Sequence, residues 1–238
     1  MLRCLDLTSL ADDDTDERIQ TLCTRAIEPA PGALHVAAVC VAPRFAALVR
    51  RLVEGSGVRL AVATGAFPTG VLSVQGRVAE ITAAVDSGAD EIDTVLDHGA
   101  LAAGRDDEVG EQLAASRAAC GNRTMKVIVE TGALPDEASI RRAVMIAIEA
   151  GADFVKSSTG QVAPGVSHEA CRAMCEAIRD CGRPVGVKVS GGVRTAKQAL
   201  GYLSIVEEVL GPEWLTPNRF RIGASSLIDA LVIAKTGR

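Results

Sequence analysis

Ala150-Gly-Ala-Asp-Phe-Val-Lys-Ser-Ser158 ends a helix on a glycine, crosses a short link and enters a strand. Ser87-Gly-Ala-Asp-Glu-Ile-Asp-Thr-Val95 repeats the same grammar earlier in the chain. Ahead of the first stretch, Ile140, Ala143, Val144, Ala147 and Ile148 fall at the i, i+3, i+4, i+7, i+8 spacing of an amphipathic helix. Gly151 stops that helix as a C-terminal cap, and the apolar strand follows at once.

Outward from these two echoes the alternation covers the chain. Strands are expected at Leu2–Leu7, within His35–Val41, and at Arg59–Thr64, Glu91–Val95, Met125–Glu130, Phe154–Ser158, Val185–Ser190 and Arg219–Gly223. Between them, the acidic run Asp12–Glu17 starts a helix, its carboxylates favouring the positive N-terminal end. Pro43 opens another through about Glu54, and further helices run from about Gln75 to Gly88, from Asp106 to about Cys120 and over Glu169–Asp180. Thr195 with Gln198 forms a capping box for the next, and Ser225–Ala234 is the last. The 238 residues therefore hold about eight strand–helix units, near the ~250 residues of a (β/α)8 barrel. The expectation is one α/β domain over residues 1–238, a (β/α)8 TIM barrel. A doubly wound open sheet shares the alternation and is the structural alternative.

Composition agrees with parallel strands under helices: hydrophobic residues make up 48% and aromatic ones only 3%, leaving Ala, Val, Ile and Leu to pack the core. A formal charge of −5 without a basic block argues against nucleic acid as a partner. No apolar run of membrane-spanning length and no signal pattern occur, so no membrane partner and a cytoplasmic location are expected. The seven cysteines form no CxxC and read as buried free thiols, and His35, His98 and His168 are too scattered for a zinc site.

The chemistry starts at Lys156. Strand parity puts Phe154, Lys156 and Ser158 on one face, so a lysine stands in a short apolar run. A strand-end lysine with its head in water is the ordinary reading. Val185-Gly-Val-Lys-Val-Ser190 changes the balance by placing a second lysine, Lys188, mid-strand one βα unit later. Two cations facing one water-poor space are expected to lower each other's pKa, and a neutral lysine is a nucleophile toward carbonyls. Asp6 and Asp93 also fall near C-terminal strand ends, where barrels of this kind build active sites. A solvent-facing Asp93 is the competing view.

A second signal is for phosphate. Ser190-Gly-Gly-Val-Arg194 follows the seventh strand, and Gly223-Ala-Ser-Ser226 follows the eighth and opens a helix. Glycines let backbone N–H groups approach an anion, and a helix N-terminus adds its positive end. Gly191, Gly192, Val193, Arg194, Gly223, Ser225 and Ser226 are the candidates, with Gly160 closing a third side.

LDLTSL with DDDT, ADEIDTV, KVIVETG, ADFVKSSTG, VGVKVSGGVRTA and RIGASSL together resemble the deoxyribose-phosphate aldolases, a class I aldolase family, over nearly the whole chain. The resemblance implies that Lys156 is the Schiff-base lysine, Lys188 the neighbour that keeps it neutral, Asp93 the acid/base working through a water, and Asp6 part of the supporting proton network. It implies a phosphate site at GGVR and GASS and a small sugar-phosphate substrate, 2-deoxy-D-ribose 5-phosphate. No cofactor and no metal are implied, since an iminium does the polarising; a homodimer is the assembly considered. Three departures stand out: Ala42 where a tyrosine is frequent, Val189-Ser190 after Lys188, and an end at Arg238 without the tyrosine-ended tail of some relatives, from which slower proton abstraction is expected. A transaldolase-like Schiff-base lyase and a non-catalytic phosphosugar-binding barrel are the rival readings.

Overall fold

The computed structural model describes residues 1–236; the chain end at Arg238, on which the tail comparison turns, lies outside them. Eight parallel strands close into a barrel in sequence order: β1 (Leu5–Thr8), β2 (Ala38–Val41), β3 (Arg59–Thr64), β4 (Glu91–Val95), β5 (Thr124–Ile128), β6 (Phe154–Lys156), β7 (Gly186–Ser190) and β8 (Phe220–Ala224), with β8 pairing back onto β1. Closure decides between the two architectures, because an open doubly wound sheet would leave two edges. Around the barrel lie α1 (Asp16–Ile27), α2 (Ala46–Leu52), α3 (Val74–Asp86), α4 (His98–Ala102), α5 (Asp106–Cys120), α6 (Glu137–Glu149), α7 (His168–Cys181), α8 (Ala196–Leu210) and α9 (Leu227–Thr236). Among the described residues no helix is long and apolar enough to cross a membrane.

Strand parity sorts the side chains into two layers. Leu5, Leu7, Val39, Leu60, Ile92, Val127, Val155, Val187 and Ile222 point outward and pack with helix residues such as Ile19, Ile81, Val144 and Met174 in one buried cluster. Fully burying an aliphatic side chain of this size is worth about 1.5–3 kcal/mol, so this outer layer carries much of the fold's stability. The alternate positions point inward, where Ala38, Cys40 and Ala61, capped by Leu10, form a small apolar patch. Ala63, Val95, Ile128 and Phe154 are buried there as well, beside a set of charged side chains.

The two echoed stretches adopt the same cap. Gly88 and Gly151 have φ of +92° and +89°, and the following Ala89 and Ala152 donate back to Ala84 and Ala147. A Cβ is unfavourable in that left-handed conformation, so glycine at the helix exit is a geometric requirement.

Several expectations shift at element ends: the sixth strand stops at Lys156 rather than Ser158, and Pro43 opens a 3-10 turn ahead of α2, which ends at Leu52. Leu2–Cys4 is a 3-10 turn, so the first strand starts at Leu5. The fifth strand stops at Ile128, because Glu130 takes a left-handed φ of 51° and turns the chain out of the ladder. In the acidic run Thr15 is the N-cap, with Asp16 and Glu17 in the first turn, whereas both oxygens of Asp14 accept from Ser9 Oγ at 2.8 Å and brace the loop after β1. The Thr195–Gln198 capping box forms as read, and all seven cysteines are free, six of them buried.

Candidate active site

Asp6, Asp93, Lys156 and Lys188 come together inside the barrel from β1, β4, β6 and β7. Lys156 and Lys188 are register partners on adjacent strands, so their side chains leave the sheet side by side. Asp93 Oδ2 accepts from both, at 2.9 Å from Lys156 Nζ and 2.7 Å from Lys188 Nζ. Lys188 Nζ also donates to Asp6 Oδ2 at 2.5 Å. All four residues are buried, so the solvent-facing alternative for Asp93 is excluded. Gly223 on β8 leaves room for this arrangement: a Cβ there would sit 3.1 Å from both Lys188 Cε and Ser190 Cβ.

Lys126, Glu91, Arg221 and Cys40 belong to the same interior, although the sequence reading did not single them out. Lys126 Nζ lies 2.6 Å from both Asp93 Oδ1 and Glu91 Oε2. Arg221 forks between Glu91 Oε1 at 2.7 Å and Asp6 Oδ1 at 2.6 Å. Cys40 Sγ stands 3.8 Å from Asp93 Oδ2. A signal was present: Lys126 is mid-strand like the two chosen lysines and is the register partner of Asp93, and Glu91 lies two residues before Asp93 on the same face.

Interleaved charge sets the ionisation of these groups. Burial alone would raise the Asp93 pKa, but Lys126, Lys156 and Lys188 outweigh it and hold the carboxyl well below the usual range. Asp6 is likewise held low, with Lys188, Arg221 and Lys126 overcoming burial, and Lys126 and Arg221 do the same for Glu91. Burial pushes Lys188 down, yet Asp6 and Asp93 more than reverse it, so this ammonium stays charged beyond the ordinary lysine range. Mutual lowering of the two lysines, expected from the sequence, therefore fails for Lys188, because carboxylates stand between the cations. Burial and the Asp93 charge push the Cys40 thiol up, which keeps it protonated and unreactive as a nucleophile.

Above this charged layer a cavity of about 280 Å³ opens at the C-terminal ends of β1, β6, β7 and β8. Lys156 reaches its floor, and Gly160, Gly191, Gly192, Val193, Arg194, Gly223, Ser225 and Ser226 all line it. Thr8–Ala11, Thr159 and Gln161 complete the wall and were not anticipated. Among the described residues the backbone N–H groups of Gly191, Gly192, Ser225 and Ser226 donate to no protein acceptor, which leaves them for an anion. Two expected donors are already engaged: Gly160 N–H goes to Ser158 Oγ at 2.9 Å and Arg194 N–H to Gln198 Oε1 at 2.9 Å. Arg194 can thus meet a ligand only through its exposed side chain. Thr159 is fixed from behind by Glu130, whose Oε2 accepts from its N–H at 3.0 Å and its hydroxyl at 2.5 Å. The arrangement joins a buried amine, fixed cations and carboxylates, and an anion cradle around one small space.

The family model described as DeoC/LacD family aldolase matches residues 1–208. A provisionally assigned deoxyribose-phosphate aldolase from Coccidioides immitis is 29% identical, superposes with a TM-score of 0.84, and the match covers 97% of this chain and 85% of that one. The apo form of a provisionally assigned deoxyribose-phosphate aldolase from Toxoplasma gondii is 25% identical with a TM-score of 0.90, covering 99% and 95%. The tetrameric deoxyribose phosphate aldolase of Aeropyrum pernix is 24% identical with a TM-score of 0.80, covering 100% and 92%, a likeness of fold.

Proposed function

This chain belongs to the DeoC/LacD family of aldolases, and from that premise we propose that it cleaves 2-deoxy-D-ribose 5-phosphate to D-glyceraldehyde 3-phosphate and acetaldehyde through a Schiff base on Lys156. One observation carries the reading: Lys156 opens into the cavity walled by the glycine loops while its Nζ rests 2.9 Å from Asp93. A carbonyl carbon on the amine and a phosphate on the free N–H groups can then belong to one small molecule.

In the proposed sequence the neutral Lys156 amine attacks C1 of the open-chain aldehyde, forming the C–N bond. Loss of water from the carbinolamine gives an iminium, an electron sink next to C2. A base takes the C3 hydroxyl proton, the C2–C3 bond breaks with its electron pair passing to the iminium, and D-glyceraldehyde 3-phosphate leaves. The enamine is protonated at C2, and water releases acetaldehyde and restores the lysine. Asp93 orients water and moves the proton. Lys126 and Lys188 hold it ionised, and the iminium on Lys156 keeps a positive charge beside it, so Asp93 acts on the C3 proton through the water it orients rather than through a rise in its own basicity. Lys188 remains a fixed cation tethered by Asp6, opposing a second charge on the adjacent amine. The reaction fits the breakdown of deoxyribose phosphates in the cytoplasm, by the chain alone or as a homodimer.

The test is turnover of 2-deoxyribose 5-phosphate with both products measured. Equal amounts of acetaldehyde and glyceraldehyde 3-phosphate are expected. Transfer of a three-carbon ketol unit instead would favour the transaldolase-like alternative, and binding without turnover would favour a phosphosugar-binding barrel.

A further inference from the structure

Beneath Lys156 the buried charges form a closed ring. Asp93 Oδ1 meets Lys126 Nζ at 2.6 Å, and Lys126 continues to Glu91 Oε2 at 2.6 Å. Glu91 Oε1 accepts from Arg221 Nη2 at 2.7 Å, and Arg221 Nη1 donates to Asp6 Oδ1 at 2.6 Å. Asp6 Oδ2 accepts from Lys188 Nζ at 2.5 Å, and Lys188 returns to Asp93 Oδ2 at 2.7 Å. Signs alternate around the ring, so its three carboxylates and three cations balance. Every member is at most 1% exposed. Two cationic side chains meet the ring from outside: Lys156 at Asp93 Oδ2, 2.9 Å away, and Arg59 at Glu91 Oε1, 3.0 Å away.

We propose that Arg221 and Glu91 are positioning residues for the aldol reaction. They line no part of the cavity, but they close the ring from the side opposite Asp93 and so fix which oxygen of Asp93 faces which lysine. The proposal rests on the roles given above to Asp93, Lys188 and Lys156. Arg221 suits the position because its planar fork can hold two carboxylates at once, which an ammonium cannot do in the same geometry. It is itself anchored: Nε donates to the Pro217 carbonyl, and its guanidinium lies over the Phe154 ring at 5.6 Å. Without Arg221, the fully buried Asp6 Oδ1 loses its donor, and Glu91 Oε1 keeps only Arg59 at 3.0 Å. Lys188 and Lys126 are then drawn toward the uncompensated carboxylates and away from Asp93, the group that moves protons. The alternative is that the ring only fills the barrel, as inward side-chain layers do in this fold.

The experiment compares Arg221→Met, Arg221→Lys, Glu91→Gln and the Arg221→Met/Glu91→Gln double variant. The readouts are kcat, KM for 2-deoxyribose 5-phosphate, the pH profile of kcat, the rate of borohydride trapping and urea stability. Arg221→Met is expected to lower kcat about 10²-fold, the scale of a lost general acid–base contribution, while KM stays within about threefold. Its acid limb should move to higher pH, since Asp6 and Glu91 have lost a cation that keeps them ionised. Arg221→Lys, which keeps the charge without the fork, should return the acid limb while kcat stays low. The double variant removes one charge of each sign and should recover about tenfold over Arg221→Met. Should Arg221→Met not fold, Arg221→Lys and the double variant carry the same comparison. A folded Arg221→Met enzyme with wild-type kcat, trapping rate and pH profile would overturn the proposal, as would single-variant losses that simply add in the double. A wild-type enzyme that forms no adduct at Lys156 rejects the Schiff-base reading, and the ring's role with it.

Discussion

Replacing Lys188 with leucine isolates the electrostatic part of the account. Lys156 and Lys188 touch the same Asp93 oxygen at 2.9 and 2.7 Å, so the two nitrogens are no further apart than those distances combined. Two like charges about 5 Å apart repel by roughly 3 kcal/mol at an effective dielectric of about 20, or about 10²-fold at fixed pH. Leucine removes that repulsion and frees Asp93 to hold the Lys156 ammonium more tightly, and both effects keep the nucleophile protonated. Turnover near pH 7 should fall about 10²-fold and be partly regained as pH rises toward 9, with borohydride trapping at Lys156 still attainable. Stability gives a second reading. Asp6 and Asp93 have lowered pKa values, so their ionic contribution is present above an unfolded carboxylate pKa of about 3.9 and fades as pH falls through the folded values. Lys188 is raised, so its contribution is complete below about 10.4 and fades as pH rises through the higher folded value. At pH 7 both are fully present. Breaking a buried pair costs about 3–5 kcal/mol, and burying leucine returns about 1.5–3, so a net loss between about 0 and 3.5 kcal/mol is expected in urea denaturation. An unchanged pH–rate profile with wild-type stability would refute the reasoning and leave Lys188 a spectator.

Two further outcomes test the other parts of the site. Ser226→Asp puts a carboxylate beside the free N–H groups of the cradle, so KM should rise far more for 2-deoxyribose 5-phosphate than for unphosphorylated deoxyribose; equal changes would put the phosphate elsewhere. EDTA should leave turnover unchanged, because both oxygens of Asp6, Glu91 and Asp93 are taken by protein cations; a loss restored by zinc would contradict the lysine-based reaction.

Parity made much of this legible in advance. Alternation along a strand put Lys156 and Lys188 in matching apolar runs, and their place near C-terminal strand ends joined Asp6 and Asp93 to them, with a solvent-facing Asp93 left open. Loops rich in glycine after two consecutive strands then marked where the cavity lies. What parity omits is the partner across the barrel, which depends on closure and register. Lys126 in Met-Lys-Val-Ile-Val and Arg221 in Arg-Phe-Arg-Ile-Gly looked like strand residues with a charged head, and only the closed interior showed that they meet Asp93 and Asp6. The same omission produced the wrong sign for Lys188, since two facing lysines imply repulsion until the carboxylates between them are seen. The end of β5 was hidden for a local reason: Val-Ile-Val favours extension, and nothing in the composition of Glu130 announces a left-handed backbone.

Reductive trapping of the covalent intermediate tests the central claim most directly. The enzyme is incubated with acetaldehyde and sodium borohydride, digested, and its peptides are mapped by mass spectrometry. The account predicts one ethyl group on the peptide that carries Lys156, and none in Lys156→Arg, whose guanidinium stays charged and cannot attack. An adduct found mainly on Lys188 or Lys126, or one that persists in Lys156→Arg, would contradict it.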